Sequence, residues 1–159
     1  MTNERTIAPS LTLLALAISA FAIGSTEFIS VGVMPMIVDA FHISLATAGL
    51  TVSVYAAGVM VGAPLLTTIT SRIPRKTLIL LIMTVFILGN LLTAAAQNFT
   101  VLLMGRVVSA LAHGIFMTVA TVIAANVVPV NKRASAIATM FTGLTVATVT
   151  GVPLGTFIG

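Results

Sequence analysis

The sequence has very few charged residues and no cysteine. Of its 159 residues 6% are charged, seven of them basic and three acidic. Soluble domains carry roughly a quarter charged residues, so these side chains cannot cover a water-soluble globule of this size. This scarcity of charge excludes a soluble enzyme, a nucleic-acid-binding module and a disordered segment. The absence of cysteine excludes a disulfide framework and a thiolate metal site.

Apolar residues are what the sequence has in abundance. They make up 58% of the chain, and the mean hydropathy is +1.21. A helix that crosses a bilayer needs about twenty apolar residues. The sequence therefore predicts an all-α membrane protein with transmembrane helices at residues 11–34, 46–70, 77–96, 99–128 and 134–159. The connections are short, so consecutive helices are predicted to be antiparallel.

Basic residues alternate between the predicted connections, as they do when Lys and Arg collect on the cytoplasmic side of a membrane. The tail before the first helix and the second and fourth loops contain Arg5, Arg72, Arg75, Lys76, Lys132 and Arg133. The first and third loops contain none, which predicts a cytoplasmic N-terminus. An alternative is a cleaved signal peptide, since Ala20 and Ala22 have the small-x-small spacing of a cleavage site, but the apolar run is longer than a signal core.

Two side chains of opposite charge, Glu27 and Arg106, are predicted to lie inside the membrane. A charge at the bilayer centre costs about 2.5 to 3.5 kcal/mol, so each needs a partner or a wet cavity. Both lie about two helical turns from the outer end of their helices, which predicts similar depth. We expect them to pair across a cavity, with Glu27 changing its protonation and Arg106 setting the local field. The alternative is an ion pair that only fastens helices.

Helical spacing places Ser109 and His113 on the same stripe of the fourth helix as Arg106. His113 is either a proton relay or a hydrogen-bonded packing residue, and the sequence leaves both open. Asp39 and His42, in the first external loop, are predicted to be solvated or to cap a helix. The sequence contains no catalytic motif, so we predict a protein that is not an enzyme and needs no cofactor and no metal.

Glycine recurs on the fifth helix. Gly143, Gly151, Gly155 and Gly159 are separated by multiples of four residues, and Pro153 lies among them. This spacing keeps the glycines near one face, where the missing side chains allow another helix to approach closely. The pattern predicts either tight helix packing or a hinge.

Together these motifs resemble the N-terminal half of a major facilitator superfamily transporter of the drug:proton antiporter group, near the arabinose efflux permeases and chloramphenicol-resistance-like transporters. The run GRVVSALAHG at residues 105–114 resembles the motif whose arginine is implicated in proton coupling. STEF at residues 25–28 is similar to the segment that carries the acidic residue of efflux members. The glycines from Gly143 onward resemble the antiporter signature of the fifth helix.

The second loop, SRIPRK at residues 71–76, resembles the gating motif of the family. The resemblance assigns a gating role to Ser71, Arg72, Arg75 and Lys76, although Ser71 stands where the family usually has aspartate. It also implies that the glycines of the fifth helix pack against the opposing half of the transporter.

The resemblance implies that residues 1–159 are one six-helix domain cut off in its fifth helix, with a C-terminal half missing. The intact parent would export a small organic substrate in exchange for protons across the bacterial cytoplasmic membrane. Its partners would be that substrate, protons, the lipid bilayer and the missing half, and no nucleic acid. The alternatives are a facilitator or symporter that imports a sugar or metabolite, and a membrane fragment that transports nothing.

Overall fold

The structure is a bundle of five long helices. The computed structural model describes residues 8–158, so Arg5 and Gly159 lie outside the described residues. We number the long helices α1 to α5, in chain order Pro9–Gly32, Leu50–Ile69, Arg75–Ala94, Phe99–Asn126 and Val130–Ile158 when the short turn that opens α5 is included. All five are long and apolar enough to cross a membrane. The predicted all-α class with five membrane helices is confirmed, and residues 8–158 contain no strand.

The first connection was predicted as a loop, but it contains a short helix. Residues Met34–Phe41 form a short helix, and Pro35 falls in its first turn, where the missing N–H of proline costs nothing. His42 ends this helix in the left-handed conformation at φ 52°. Asp39 is exposed inside the helix and caps nothing, whereas Ser44 accepts a hydrogen bond from the backbone N–H of Thr47 at 3.1 Å.

The centre of the bundle is α4. It packs against both α2 and α3, whereas α1 packs mainly against α5. Leu102, Ala110 and Phe116 of α4 are buried, and so are many of their neighbours along this helix. Neighbouring helices therefore cover α4 on two sides, and side chains on those sides contact protein instead of lipid.

The glycines of α5 form a seam with α1. A Cβ atom at Gly143 would clash with the backbone oxygen of Ala17, and one at Gly155 would clash with that of Ile29. A Cβ atom at Gly151 would come too close to the Cβ atom of Phe28. Within the described residues these glycines face α1 of the same chain, and their packing against an opposing half stays a prediction. Glycine is needed here so that the two backbones can touch.

Asn98 caps the N-terminus of α4. Its side-chain oxygen accepts a hydrogen bond from the backbone N–H of Val101 at 2.9 Å, which satisfies one of the free donors at the helix start. Replacing Asn98 with alanine is expected to cost about 1 kcal/mol, seen as a lower midpoint in thermal unfolding of the purified full-length protein in detergent. Asn98→Asp keeps the acceptor and should retain the midpoint. Equal midpoints for Asn98→Ala and the unaltered protein would contradict the capping role.

Candidate functional site

Glu27 of α1 faces His113 of α4. The Oε2 atom of Glu27 lies 3.7 Å from Nδ1 of His113. The side chain of Glu27 is 30% exposed, whereas that of His113 is buried at 6%. Within the described residues Glu27 makes no ion pair with Arg106, so the expected direct pairing of these two charges is replaced by a pairing of Glu27 with the histidine.

Arg106 is held by backbone carbonyls from two other helices. Its Nε donates to the carbonyl oxygen of Thr51 on α2, and its Nη1 donates to that of Thr26 on α1, both at 3.3 Å. Thr26 precedes Glu27, so Glu27 and Arg106 lie at a similar level of the bundle. Arg106 is 2% exposed, and its Nη2 has no hydrogen-bond partner among the described residues. Backbone carbonyls are a common partner for a cation inside a membrane.

Tyr55 of α2 joins the two parts of this site. Its hydroxyl lies 3.1 Å from Nδ1 of His113, and the guanidinium carbon of Arg106 lies 4.0 Å above the centre of its ring. Tyr55 is buried, with 1% of its surface exposed. A cation over an aromatic face is attracted by the electrons of the ring, so Arg106 also fixes the position of the tyrosine.

These four side chains give the site a permanent cation and two groups that can exchange a proton. Arg106 stays charged at any physiological pH. The carboxyl of Glu27 and the imidazole of His113 can each hold or release a proton, and they face each other across a short gap. The partly exposed carboxyl supplies a route to water, while Arg106 and His113 lie behind it. The arrangement is suited to binding a proton in one conformation and releasing it in another.

Ser109 lies elsewhere. Its Oγ is fully buried and occupies the space where a Cβ on Gly89 of α3 would project. It contacts the third helix and is not brought to Glu27. The helical stripe predicted for these three residues is therefore divided, because Arg106 and His113 face α1 and α2 whereas Ser109 faces α3.

The second predicted site lies around the loop between α2 and α3. Ser71 and Arg72 belong to a single helical turn, while Arg75 and Lys76 form the first turn of α3 and were expected in the loop. All four side chains are exposed. Ser71 and Arg75 line a cavity of about 200 Å³ together with Thr118 of α4. Arg75 and Lys76 also border an apolar groove of about 560 Å³ between α1 and α3.

Sequence reasoning missed Thr51 and Tyr55. A signal was present, because Tyr55 is the only tyrosine of the chain and lies four residues after a threonine, on the same face of a mostly apolar helix. What the spacing does not provide is the identity of the facing helix. The backbone carbonyl of Thr51 has no sequence signature, since every residue has one.

A family match agrees with this architecture. The family model described as Major Facilitator Superfamily matches residues 16–159, which is most of the chain. The chain belongs to the major facilitator superfamily, whose members are transporters rather than enzymes. It is a multi-pass membrane protein, as its five apolar helices indicate.

Curated relatives from several bacteria are similar to the chain. The uncharacterized MFS-type transporter YtbD of Bacillus subtilis is 63% identical over 147 residues, which cover 92% of this chain and 37% of that protein. The inner membrane transport protein YdhP of Escherichia coli K12 is 48% identical over 92% of this chain and 38% of its own length. A chloramphenicol resistance protein of Streptomyces lividans is 38% identical over 94% of this chain and 38% of its own length. The chain thus spans less than two fifths of these relatives.

Proposed function

We propose that the full-length protein is a secondary transporter that exports a small organic substrate in exchange for entering protons. The observation that carries this proposal is the contact of 3.7 Å between the carboxyl of Glu27 and the imidazole of His113, beside the permanently charged Arg106. Titratable groups within a membrane are costly, and those that are present usually mark a functional site. Proton exchange between water and the protein requires groups of this kind.

The roles follow from burial and charge. Glu27, the most exposed of the charged groups in this site, binds and releases the coupling proton. His113 stabilises the carboxylate, and Arg106 sets the local field through its fixed charge. If the proton and the substrate bind to the same carboxylate, only one of them can be bound at a time. This competition is what couples their movement in opposite directions. The charged loop from Ser71 to Lys76 serves as a gate on the side of the membrane away from Glu27.

The relatives support the substrate class and the location. One of them is named a chloramphenicol resistance protein and another an inner membrane transport protein, and resistance to a toxic compound is commonly achieved by exporting it. We therefore place the protein in the bacterial inner membrane, with its N-terminus and the basic loops in the cytoplasm. A C-terminal half of the transporter completes the substrate cavity at the middle of the membrane.

Flux driven by a pH gradient tests this proposal. The full-length protein is reconstituted in liposomes with labelled chloramphenicol as the probe, and a pH difference of about one unit is imposed. One-for-one exchange with protons predicts about tenfold accumulation of the probe against its own gradient. A protonophore should abolish this accumulation. Flux that follows only the gradient of the probe, with or without the protonophore, would indicate a facilitator and overturn the proposal.

A further inference from the structure

We infer that Tyr55 is a positioning residue that determines which nitrogen of His113 carries the proton, and that this choice is linked to the protonation of Glu27. The inference rests on the proposed proton-coupled function and specifies how its site works. Neither the sequence motifs nor the names of the relatives assign a role to Tyr55.

The geometry behind this inference is a competition for one atom. Nδ1 of His113 lies 3.1 Å from the hydroxyl of Tyr55 and 3.7 Å from Oε2 of Glu27. In a neutral imidazole one nitrogen donates a hydrogen bond and the other accepts one. Nδ1 therefore cannot accept from Tyr55 and donate to Glu27 at once. A bare Nδ1 accepts from the hydroxyl of Tyr55, whereas a protonated Nδ1 prefers the charged carboxylate of Glu27 over the neutral oxygen of Tyr55, because a hydrogen bond to an ionised acceptor is stronger.

Two arrangements follow. When Glu27 is protonated and neutral, Nδ1 is bare and accepts the hydroxyl hydrogen of Tyr55, while Nε2 carries the ring proton. When Glu27 has released its proton, the carboxylate attracts a donor, and Nδ1 carries the ring proton and donates it to Oε2. Between the two arrangements the ring gains a proton at Nδ1 and loses one from Nε2, so His113 is neutral in both, and the pair as a whole loses the one proton that Glu27 releases.

Few other ionisable groups can interfere with this exchange. Glu27 faces His113 from α1 and Tyr55 faces it from α2, while Arg106 lies two turns away on the same helix. The helices α3 and α5 carry ionisable side chains only in their first turns, at Arg75, Lys76, Lys132 and Arg133. The choice between the two tautomers of His113 therefore depends on Glu27, Tyr55 and Arg106, and the charge of Arg106 is constant.

Arg106 makes Tyr55 suitable for this role. The guanidinium lies over the ring at 4.0 Å, which holds the tyrosine against α4 and keeps its hydroxyl within reach of Nδ1. A tyrosine that only filled space would need its ring and no particular partner for its hydroxyl. Here the hydroxyl has a titratable partner on another helix.

Nitrogen NMR of His113 tests the inference directly. The full-length transporter is labelled with ¹⁵N-histidine in lipid nanodiscs, and the signal of His113 is assigned with His113→Asn. We expect the ring proton on Nε2 at low pH and on Nδ1 at high pH. In Tyr55→Phe the change from Nε2 to Nδ1 should occur at a lower pH, because the form with a bare Nδ1 has lost its hydrogen-bond donor. Ser53→Ala removes another hydroxyl of the same helix, one that is exposed and bonded locally to the carbonyl of Gly49, and should behave like the unaltered protein.

The pH profile of exchange gives a second readout. Without the competing hydroxyl, Nδ1 of His113 is free to stabilise the carboxylate, so Tyr55→Phe should lower the pH of half-maximal exchange by about one unit, the effect of one hydrogen bond to a charged group. Should Tyr55→Phe fail to fold, Glu27→Gln provides the independent test, since it should hold the proton on Nε2 at every pH.

Three results would overturn the inference: the same pH of the tautomer change in Tyr55→Phe and the unaltered protein, a tautomer of the unaltered protein that does not change with pH, or a proton on Nδ1 at all pH values in Glu27→Gln. The tautomer is measured without substrate, so the two proposals fail separately. A transporter that exchanges protons with no tautomer change removes only the role of Tyr55. A tautomer change without proton-coupled flux removes the proposed function.

Discussion

Replacing Glu27 with glutamine is expected to abolish proton-coupled export while leaving the protein folded and inserted. Glutamine has the same shape and fills the same space, but it cannot bind or release a proton. The side chain of Glu27 is 30% exposed and its nearest titratable neighbour is His113, while Arg106 is hydrogen-bonded to backbone carbonyls, so losing the charge of Glu27 removes no direct partner of a buried cation. In liposomes, accumulation of the labelled probe against its gradient should fall from about tenfold to none.

The chain offers a matched control for this variant. Asp39 is an exposed acid outside the long helices, and Asp39→Asn makes the same change of acid to amide. It should export the probe at the unaltered rate. Full pH-driven accumulation in Glu27→Gln would remove Glu27 from the mechanism, whereas equal losses in both variants would indicate a general effect of acid removal.

Replacing Gly143 with valine is expected to prevent the protein from folding. A Cβ at this position would clash with the backbone oxygen and carbon of Ala17, and a backbone cannot rotate aside as a side chain can. Overpacked cores lose about 1 to 3 kcal/mol when side chains can adjust, and here the loss should exceed that range. The yield of monodisperse full-length protein, measured by size-exclusion chromatography after extraction from membranes, should fall to background.

Thr145→Val introduces the same residue on the exposed face of α5 and is the control for this prediction. It should leave the yield unchanged, because its hydroxyl bonds only to the carbonyl of Phe141 within the same helix. A Gly143→Val protein recovered at the unaltered yield would show that α1 and α5 do not pack this closely.

The course of the chain through the membrane could be predicted from sequence because it depends on local properties. The length of each apolar run and the charges between runs determine where helices begin and end, and α4 begins at Phe99 as predicted because Asn98 caps it. The first connection was predicted less well, since Met34–Phe41 is amphipathic and too short for a membrane helix. A proline in its first turn is compatible with either a helix or a loop.

The site was predicted only in part because it depends on contacts between helices. Glu27, Arg106 and His113 could be chosen, since each is a costly residue in an apolar run. Their pairing could not, because it depends on the rotation of each helix about its axis. The guanidinium of Arg106 donates its hydrogen bonds to backbone carbonyl oxygens, which no sequence pattern reveals. The carboxyl of Glu27 therefore faces His113 instead of Arg106. Ser109 shows the same limit, since one turn along α4 is enough to move a side chain from one neighbouring helix to another.

The glycine seam determines which parts of this bundle can move independently. At Gly143, Gly151 and Gly155 the backbone of α5 lies directly against α1, so no long side chains are available there to settle into a second packing. The two helices must then shift as a single rigid pair. In the proposed mechanism, a displacement of α1 that follows a change in the charge of Glu27 would therefore move α5 along its full length.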